Sequence, residues 1–201
     1  MIDPGKDAAS GIAAIVTEHR LKPVAVLVTH GHVDHMWSVA PVAGGYESTA
    51  YIHPADRHLL KDPMSGLSSE TASMLLGGSY DWAEPDDVRE LTDRDTLELA
   101  GLRLTVDHTP GHTPGSVTFR TQYDAAGASE VMFAGDLLFK GSIGRTDLPG
   151  GDSAVMSDSL RDRVLRLADD VVVLPGHGEQ TFIGHERRTN PYLRDLAKDK
   201  D

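Results

Sequence analysis

The sequence contains no cysteine among its 201 residues. This absence excludes disulfide bonds, thiolate-held iron–sulfur clusters, thiolate zinc sites and a cysteine nucleophile. Any metal ion bound by this chain must therefore be held by histidine and carboxylate side chains. The ten histidines and 31 acidic residues supply many such ligands.

Long apolar runs and an excess of basic residues are also missing. The longest apolar runs, such as residues 24–28, are of strand length and fall far short of the roughly 20 residues that span a bilayer. Residues 1–5 lack the basic region and apolar core of a signal peptide, so we expect a cytoplasmic protein without a membrane partner. The formal net charge of −12 argues against nucleic acid as a partner, because phosphate contacts need Lys and Arg.

The patterns along the chain alternate between helix and strand, which predicts one α/β domain over residues 1–201. Helices are predicted at residues 11–20, 36–43, 54–60, 153–167 and 184–196. Strands are predicted at residues 24–28, 51–52, 102–106, 116–121, 131–134 and 171–174. Residues 62–80 predict a partly helical surface excursion and candidate lid, and the acidic stretch 81–95 predicts a solvated loop.

Three of the ten histidines lie within six residues, directly after the apolar strand 24–28. His30 and His32 stand at i and i+2 on an extended segment, so their imidazoles point the same way and can hold one ion. Asp34 and His35 follow as the chain turns into a helix, where they can face a second ion. This clustering indicates a metal site rather than a solvated histidine-rich loop.

Three later residues also follow strand ends. His112 lies in a rigid Thr-Pro-Gly-His-Thr-Pro-Gly turn, and Asp136 and His177 each come just after an apolar strand. α/β folds place their sites where strands end and loops begin. The strand ends together therefore predict one site.

With these residues the sequence resembles the metallo-β-lactamase superfamily. The resemblance rests on Thr-His-Gly-His-Val-Asp-His at residues 29–35, followed by His112, Asp136 and His177, and it runs over essentially the whole chain. It implies an α/β fold, the αββα sandwich, in which two mixed β-sheets pack together with helices outside.

The resemblance also implies which residues hold the metal ions. In dinuclear members the first ion is bound by residues matching His30, His32 and His112. The second is bound by residues matching Asp34, His35 and His177. The residue matching Asp136 bridges the two ions, and Asp34 and Asp136 are the expected catalytic carboxylates. We expect two divalent ions, zinc in the first place, with iron or manganese as alternatives.

Further motifs resemble the single-domain hydrolases of the glyoxalase II group. They lie at residues 109–116, 135–139, 143–147, 175–178, 186–187 and 190–191. The implied reaction is hydrolysis of a small-molecule thioester, such as S-lactoylglutathione, to a hydroxy acid and a thiol. Two metal ions can hold a bridging water and lower its pKa toward about 7, and the resulting hydroxide attacks the thioester carbonyl.

Arg145 is the expected substrate-binding residue, because related enzymes have a basic residue at the matching place that meets a substrate carboxylate. The alternative role is an ion pair with Asp147 or Asp152 that pins the loop. The five histidines outside the ligand set are expected to have structural or surface roles.

Two features depart from the family pattern. Two-domain glyoxalase II enzymes carry a C-terminal helical domain that supplies glutathione contacts, whereas 24 residues follow His177 here. We therefore expect no glutathione-binding helical domain, which leaves the carrier thiol open. The family also has one or two strands before the segment matching residues 2–5, and we expect this chain to lack them.

Other activities remain open. A persulfide dioxygenase of the same fold uses one iron held by residues matching His30, His112 and Asp136 and shares the motif at residues 144–147, although residues 175–178 resemble the hydrolases better. A lactonase would use the same seven ligands. A β-lactamase is disfavoured, because lactamases lack a bridging aspartate and some need a cysteine ligand. Outside the enzymes, the alternative is a non-catalytic metal-binding protein.

Overall fold

The computed structural model describes residues 1–75, 82–125 and 128–198, and the chain divides into two units, Met1–Leu91 and Thr92–Asp201. Each unit has its own β-sheet and its own cluster of buried apolar residues. The single domain expected over residues 1–201 stays a prediction. Within the described residues, no helix is both long and apolar enough to cross a membrane.

The first unit is built on a three-stranded parallel sheet. Strands β1 (Ala25–Leu27), β2 (Thr49–Ile52) and β3 (Val88–Glu90) lie in the order β1-β2-β3, and Ile2 forms an isolated parallel bridge to Leu27. A mixed sheet is expected from the sequence, but every described strand pair here is parallel. The reason is that each connection between these strands is a crossover with helices, which parallel neighbours require.

Short helices make those crossovers. Between β1 and β2 they are α2 (Val33–Met36) and α3 (Val39–Gly45), and between β2 and β3 they are α4 (Pro54–Arg57) and α5 (Ser69–Leu75), with 3-10 turns at His58–Leu60 and Pro63–Gly66. Helix α1 (Ala8–Glu18) precedes β1. Val26 and Val28, on and just after β1, pack with Met36 and Val39 in the buried cluster. The turn at Pro63–Gly66 and α5 lie in the predicted excursion at residues 62–80, of which residues 76–80 fall outside the described part.

The prediction of a solvated loop over residues 81–95 is wrong at the centre of this stretch, where the chain forms β3. The amide of Ala50 donates to the carbonyl of Asp87 at 2.9 Å, and the amide of Leu91 donates to the carbonyl of Ile52 at 3.0 Å. Short edge strands commonly carry charged, exposed side chains, which leaves no apolar pattern to detect. Pairing with β2, rather than local pattern, determines this strand.

The second unit is built on a six-stranded mixed sheet in the order β11-β10-β7-β6-β5-β4. The strands of this unit are β4 (Thr96–Leu99), β5 (Leu102–His108), β6 (Val117–Ala125), β7 (Ala128–Gly135), β8 (Leu138–Phe139), β9 (Ser142–Ile143), β10 (Val172–Pro175) and β11 (Thr181–Phe182). β10 is parallel to β7, the other pairs in the sheet are antiparallel, and β8 and β9 form a separate hairpin.

Helices pack against this sheet. They are α6 (Ser153–Ser159), which continues into a π-helical turn at Leu160–Val164, α7 (Ile183–Thr189) and α8 (Pro191–Lys198). The carboxylate of Asp152 caps α6 by accepting from the amides of Ala154 and Val155 at 2.8 and 3.1 Å. Pro191 divides the predicted C-terminal helix, because the residue before a proline is disfavoured in helical conformation.

Candidate metal centre

Three predicted ligands lie together in the first unit, between the end of β1 and α2. The ring centroid of His30 is 4.9 Å from that of His32 and 4.1 Å from that of His35. All three side chains are buried, with exposures of 1%, 4% and 4%. Apolar side chains are the usual occupants of buried space, so three clustered imidazoles indicate a nitrogen-lined site for a transition-metal ion or zinc.

Asp3 orients His35, although no pattern in the sequence identifies it as part of the site. Its carboxylate accepts from the amide and the hydroxyl of Thr29 at 2.7 and 2.6 Å, and its Oδ2 lies 2.9 Å from Nδ1 of His35. Because an ionised carboxylate only accepts, Nδ1 of His35 carries the hydrogen and Nε2 keeps its lone pair for a metal ion. Asp3 is 32 residues from His35 in the chain, so no local spacing announces the pair.

The segment around Asp34 is held by close backbone packing. A Cβ atom on Gly5 would overlap the carbonyl oxygen of Asp34, so only glycine lets the N-terminal segment pass α2 here. The buried carboxylate of Asp56 accepts from the amide of Gly31 at 2.9 Å. The Asp34 side chain is 53% exposed, and its Oδ2 lies 3.8 Å from Nε2 of His35. Two of the predicted ligands of the second ion, Asp34 and His35, thus present donor atoms to each other.

The other three predicted ligands lie together in the second unit. Oδ2 of Asp136 is 3.5 Å from Nε2 of His112 and 3.6 Å from Nε2 of His177. These distances exceed those of ordinary hydrogen bonds. Donor atoms about 2.1 Å from one tetrahedral ion stand about 3.4 Å apart, which matches both separations. The arrangement therefore fits a carboxylate that shares one metal ion with each histidine.

The backbone of the following loop sets the orientation of His112. Its Nδ1 lies 2.7 Å from the carbonyl oxygen of Arg145, so Nδ1 donates and Nε2 is directed to Asp136. A Cβ atom on Gly144 would overlap the carbonyl oxygen of Asp136. Glycine is thus required where the loop passes both ligands.

Glu186 and Asn190, which belong to the motifs at residues 186–191, support this loop from α7. The fully buried carboxylate of Glu186 accepts from the amide of Gly141 at 2.8 Å, the hydroxyl of Thr181 at 2.6 Å and the side-chain amide of Asn190 at 3.0 Å. Asn190 also donates to the carbonyl of Ser142 at 3.0 Å. These bonds fix the β8–β9 hairpin, which leads directly into the loop that carries Arg145.

Arg145 forms the ion pair that is the alternative to a substrate-binding role. Its guanidinium makes a two-point pair with the carboxylate of Asp147, at 2.7 and 2.8 Å. The hydrogen bond from Arg145 lowers the pKa of Asp147 to about 2. Asp152 is not the partner, because it caps α6. Both side chains of the pair are exposed, at 61% and 68%.

Two of the remaining histidines have the structural roles expected of them. Nδ1 of His53 accepts from the amide of Ala55 at 3.3 Å at the start of α4. Nε2 of His108 lies 2.9 Å from the carbonyl oxygen of Pro114. The two rings thus brace local backbone.

Comparison with known proteins identifies the family. The model of the metallo-β-lactamase superfamily matches residues 1–177. The chain is 45% identical to the protein Rv2581c of Mycobacterium tuberculosis over 98% of this chain and 88% of that protein. It is 34% identical to the hydroxyacylglutathione hydrolase GloC of Haemophilus influenzae, over 96% of this chain and 86% of GloC.

Solved structures share the fold. The B3 metallo-β-lactamase BLEG-1 matches with a TM-score of 0.80 and 38% identity over 95% of this chain and 86% of BLEG-1. TTHA1623, solved in a di-iron-bound form, matches with a TM-score of 0.77 and 39% identity over 96% of this chain and 88% of that chain. The predicted fold is thereby confirmed, and the fold implies divalent metal binding, which suits the five imidazoles and two carboxylates present. The chain belongs to the metallo-β-lactamase superfamily, an α/β family of metal-dependent hydrolases.

Proposed function

We propose that this protein hydrolyses thioesters in the manner of glyoxalase II, converting S-lactoylglutathione or an analogous thiol conjugate to a hydroxy acid and a thiol. The observation that carries the proposal is the position of Asp136, whose Oδ2 faces Nε2 of both His112 and His177. A carboxylate so placed can bridge two ions. The similarity to a relative named hydroxyacylglutathione hydrolase supports the same reaction.

Seven residues would hold two divalent ions in this proposal. His30, His32 and His112 would bind one ion, Asp34, His35 and His177 the other, and Asp136 both. We propose zinc as the metal. Iron is an alternative because TTHA1623 was solved in a di-iron-bound form, and manganese is a further alternative. When bound, such a pair of ions lowers the pKa of a water held between them and stabilises the negative charge of the tetrahedral intermediate.

The residues of the chain prepare this chemistry. Asp3 and the carbonyl of Arg145 fix the tautomers of His35 and His112, so that the metal-facing nitrogen of each carries a lone pair. Because carboxylates accept hydrogen bonds, we assign Asp34 and Asp136 the role of accepting the proton of the attacking water. As the C–S bond breaks, that proton passes to the leaving thiolate.

Arg145 would bind a carboxylate of the substrate. An ion pair as exposed as Arg145 with Asp147 contributes little to stability, so the guanidinium can exchange Asp147 for a substrate carboxylate at small cost. The backbone carbonyl of Arg145 also accepts from His112. The substrate-binding loop and a metal ligand are therefore coupled through this one residue.

Three other activities are tested beside this one. The structural match to BLEG-1 makes β-lactam hydrolysis a specific alternative. An iron-dependent persulfide dioxygenase is the second alternative, because that group shares the motif at residues 144–147. A lactonase, which would use the same metal ligands, is the third.

The test is metal analysis of the purified protein followed by activity assays. Thioesters of S-lactoylglutathione and of other low-molecular-weight thiols are compared with a lactone, a β-lactam and oxygen uptake on a persulfide. We expect about two metal ions per chain and thioester hydrolysis as the fastest reaction. Full metal loading with turnover of only the β-lactam, lactone or persulfide would overturn the proposal.

Asp136→Ala provides the matched variant. We expect it to lose both metal occupancy and activity, whereas Asp195→Ala, which removes an exposed carboxylate from α8, keeps both. An unchanged rate in Asp136→Ala would refute the bridging role.

A further inference from the structure

An acidic pocket lies in the first unit, between the C-terminal end of α3 and the segment that precedes β3. Its volume is about 380 Å³, which is within the usual range of small-molecule sites. Three of the described residues that line it are acidic, Glu47, Asp86 and Asp87, and none is basic. The electrostatic potential of these carboxylates favours a cationic ligand.

No cation of the protein neutralises these three carboxylates. Within the described parts of the chain, none of the three forms an ion pair with a lysine, arginine or histidine. Asp87 is held in place, because its Oδ2 accepts from the hydroxyl of Thr49 at 2.5 Å and its backbone carbonyl accepts from the amide of Ala50 at 2.9 Å. A bound cation would offset the repulsion among the three negative charges.

The buried hydroxyl of Ser48 is a second observation, independent of these charges. Ser48 lines the same pocket and is 7% exposed, and its hydroxyl forms no hydrogen bond with any residue that the structure describes. The backbone at Ser48 is fixed, since its amide donates to the carbonyl of Ala43 at 3.0 Å. Because buried hydroxyls are nearly always hydrogen-bonded, one without a partner in a pocket wall indicates a ligand that supplies the missing group.

The spacing of the acidic groups favours an organic cation over a metal ion. In the described part of the chain, the groups of potential metal ligands whose donor atoms lie within 4.8 Å of one another do not include Glu47, Asp86 or Asp87. Calcium takes about six to eight oxygen ligands gathered at about 2.3–2.6 Å. Carboxylates spread around a larger pocket instead suit a ligand with two ammonium groups, each of which can meet its own acceptor.

We propose that this pocket binds a short aliphatic diamine. Its ammonium groups donate to the carboxylates of Glu47 and Asp86 and to the hydroxyl of Ser48, and its methylene chain lies between them. The inference goes beyond the proposed hydrolysis and does not depend on it, because none of the seven candidate metal ligands lines this pocket.

Amide NMR of the isotopically labelled, zinc-loaded full chain gives a readout at the pocket itself. The protein is titrated at neutral pH with putrescine, with butylamine as the match that has one ammonium group and butanediol as the match that has none. We expect saturable shifts at the amides of Gly44, Glu47 and Ser48 with putrescine, and a dissociation constant on the order of 1 mM or tighter for so small a ligand. Butylamine should bind severalfold more weakly, and butanediol should give no shifts.

Variants assign these shifts to the pocket. Ser48→Ala and Glu47→Gln should each weaken putrescine binding severalfold, whereas Glu18→Gln, at an exposed acid of α1 outside the pocket, should leave it unchanged. Gly44→Leu fills the pocket and should abolish binding. A Cβ atom on Gly44 meets no neighbouring atom within 4 Å, so we expect this variant to fold, with circular dichroism as the check.

Three results would overturn the proposal. The first is a linear response to putrescine, or binding to Ser48→Ala and Glu47→Gln that equals binding to the unmodified protein. The second is tighter binding of calcium chloride with shifts at the same amides, which would indicate a metal site. The third is a set of shifts confined to residues 30–35, which would indicate amine binding at the zinc ions.

Discussion

At the scale of single residues, Asp3 is far from the histidine cluster in the sequence but contacts it directly in the fold. It accepts two hydrogen bonds from Thr29 and one from His35. In Asp3→Asn, an amide nitrogen replaces one of the two acceptor oxygens, so at least one of these donors loses its partner. We expect metal affinity to fall about 10–100-fold, the usual effect of removing a group that orients a metal ligand.

Competition with a chromophoric chelator measures that affinity. Asp7→Asn is the control, because Asp7 is exposed and its side chain makes no capping bond to α1. Equal affinities in Asp3→Asn and the unmodified protein would show that Asp3 does not orient His35.

The ion pair between Arg145 and Asp147 leads to a prediction about how protonation of the Asp147 carboxylate depends on pH. The pKa of Asp147 is lowered to about 2 from an ordinary value of 3.8, chiefly by the hydrogen bond from Arg145. The contribution of the pair is therefore fully present above pH 3.8 and is lost as the pH falls through 2. Carboxyl-carbon NMR should find Asp147 mostly ionised at about pH 3 in the unmodified protein and mostly protonated in Arg145→Met. Identical titrations would contradict the pairing.

At the scale of elements, Glu186 connects α7 to the β8–β9 hairpin through hydrogen bonds. Replacing this buried acceptor by Gln places an NH₂ group against donors that include the amide of Gly141 and the hydroxyl of Thr181. We expect Glu186→Gln to lower the free energy of unfolding by about 1–3 kcal/mol, the cost of a buried donor without an acceptor.

The urea midpoint, at an unchanged m value, measures this loss. Glu179→Gln is the matched control, because Glu179 is exposed and pairs with Lys140 on the surface. Its effect on the midpoint should be far smaller, as is usual for a substitution at the surface. A loss in Glu186→Gln no larger than in the control would show that the hairpin does not depend on α7.

The elements also show why some structure was predictable and some was not. Residues 24–28 and 171–174 have continuous apolar runs, and strands β1 and β10 form there. The β8–β9 hairpin and β11 have two residues per strand, too few for any periodicity to appear. The backbone of the hairpin is held by side chains from α7 and the residue after it, which is a tertiary cause.

At the scale of the whole molecule, the proposed metal ions are expected to stabilise the fold. Ligands that bind only the folded state add stability by mass action, about 2.7 kcal/mol for one site at a hundredfold excess over its dissociation constant. Chelation should therefore lower the melting temperature by several degrees, since each kcal/mol corresponds to about 2–4 °C in a chain of this size.

Calorimetry with and without a chelator, followed by return of zinc, tests this prediction. Asp136→Ala should show a much smaller shift, because it is expected to hold little metal. Melting curves that coincide before and after chelation would contradict a structural contribution of the metal.

The family, the α/β class and the candidate ligands could all be predicted from the amino-acid sequence, because strand ends followed by histidine and aspartate are local patterns. It could not determine which groups orient those ligands. Asp3 and His35 are 32 residues apart, and His112 and the Arg145 carbonyl 33 apart, so only folding brings them into contact. The rings of Trp37 and Trp82 are likewise distant in the chain and come into contact only in the folded first unit. Hydrogen bonds and packing between distant segments are properties of the tertiary structure.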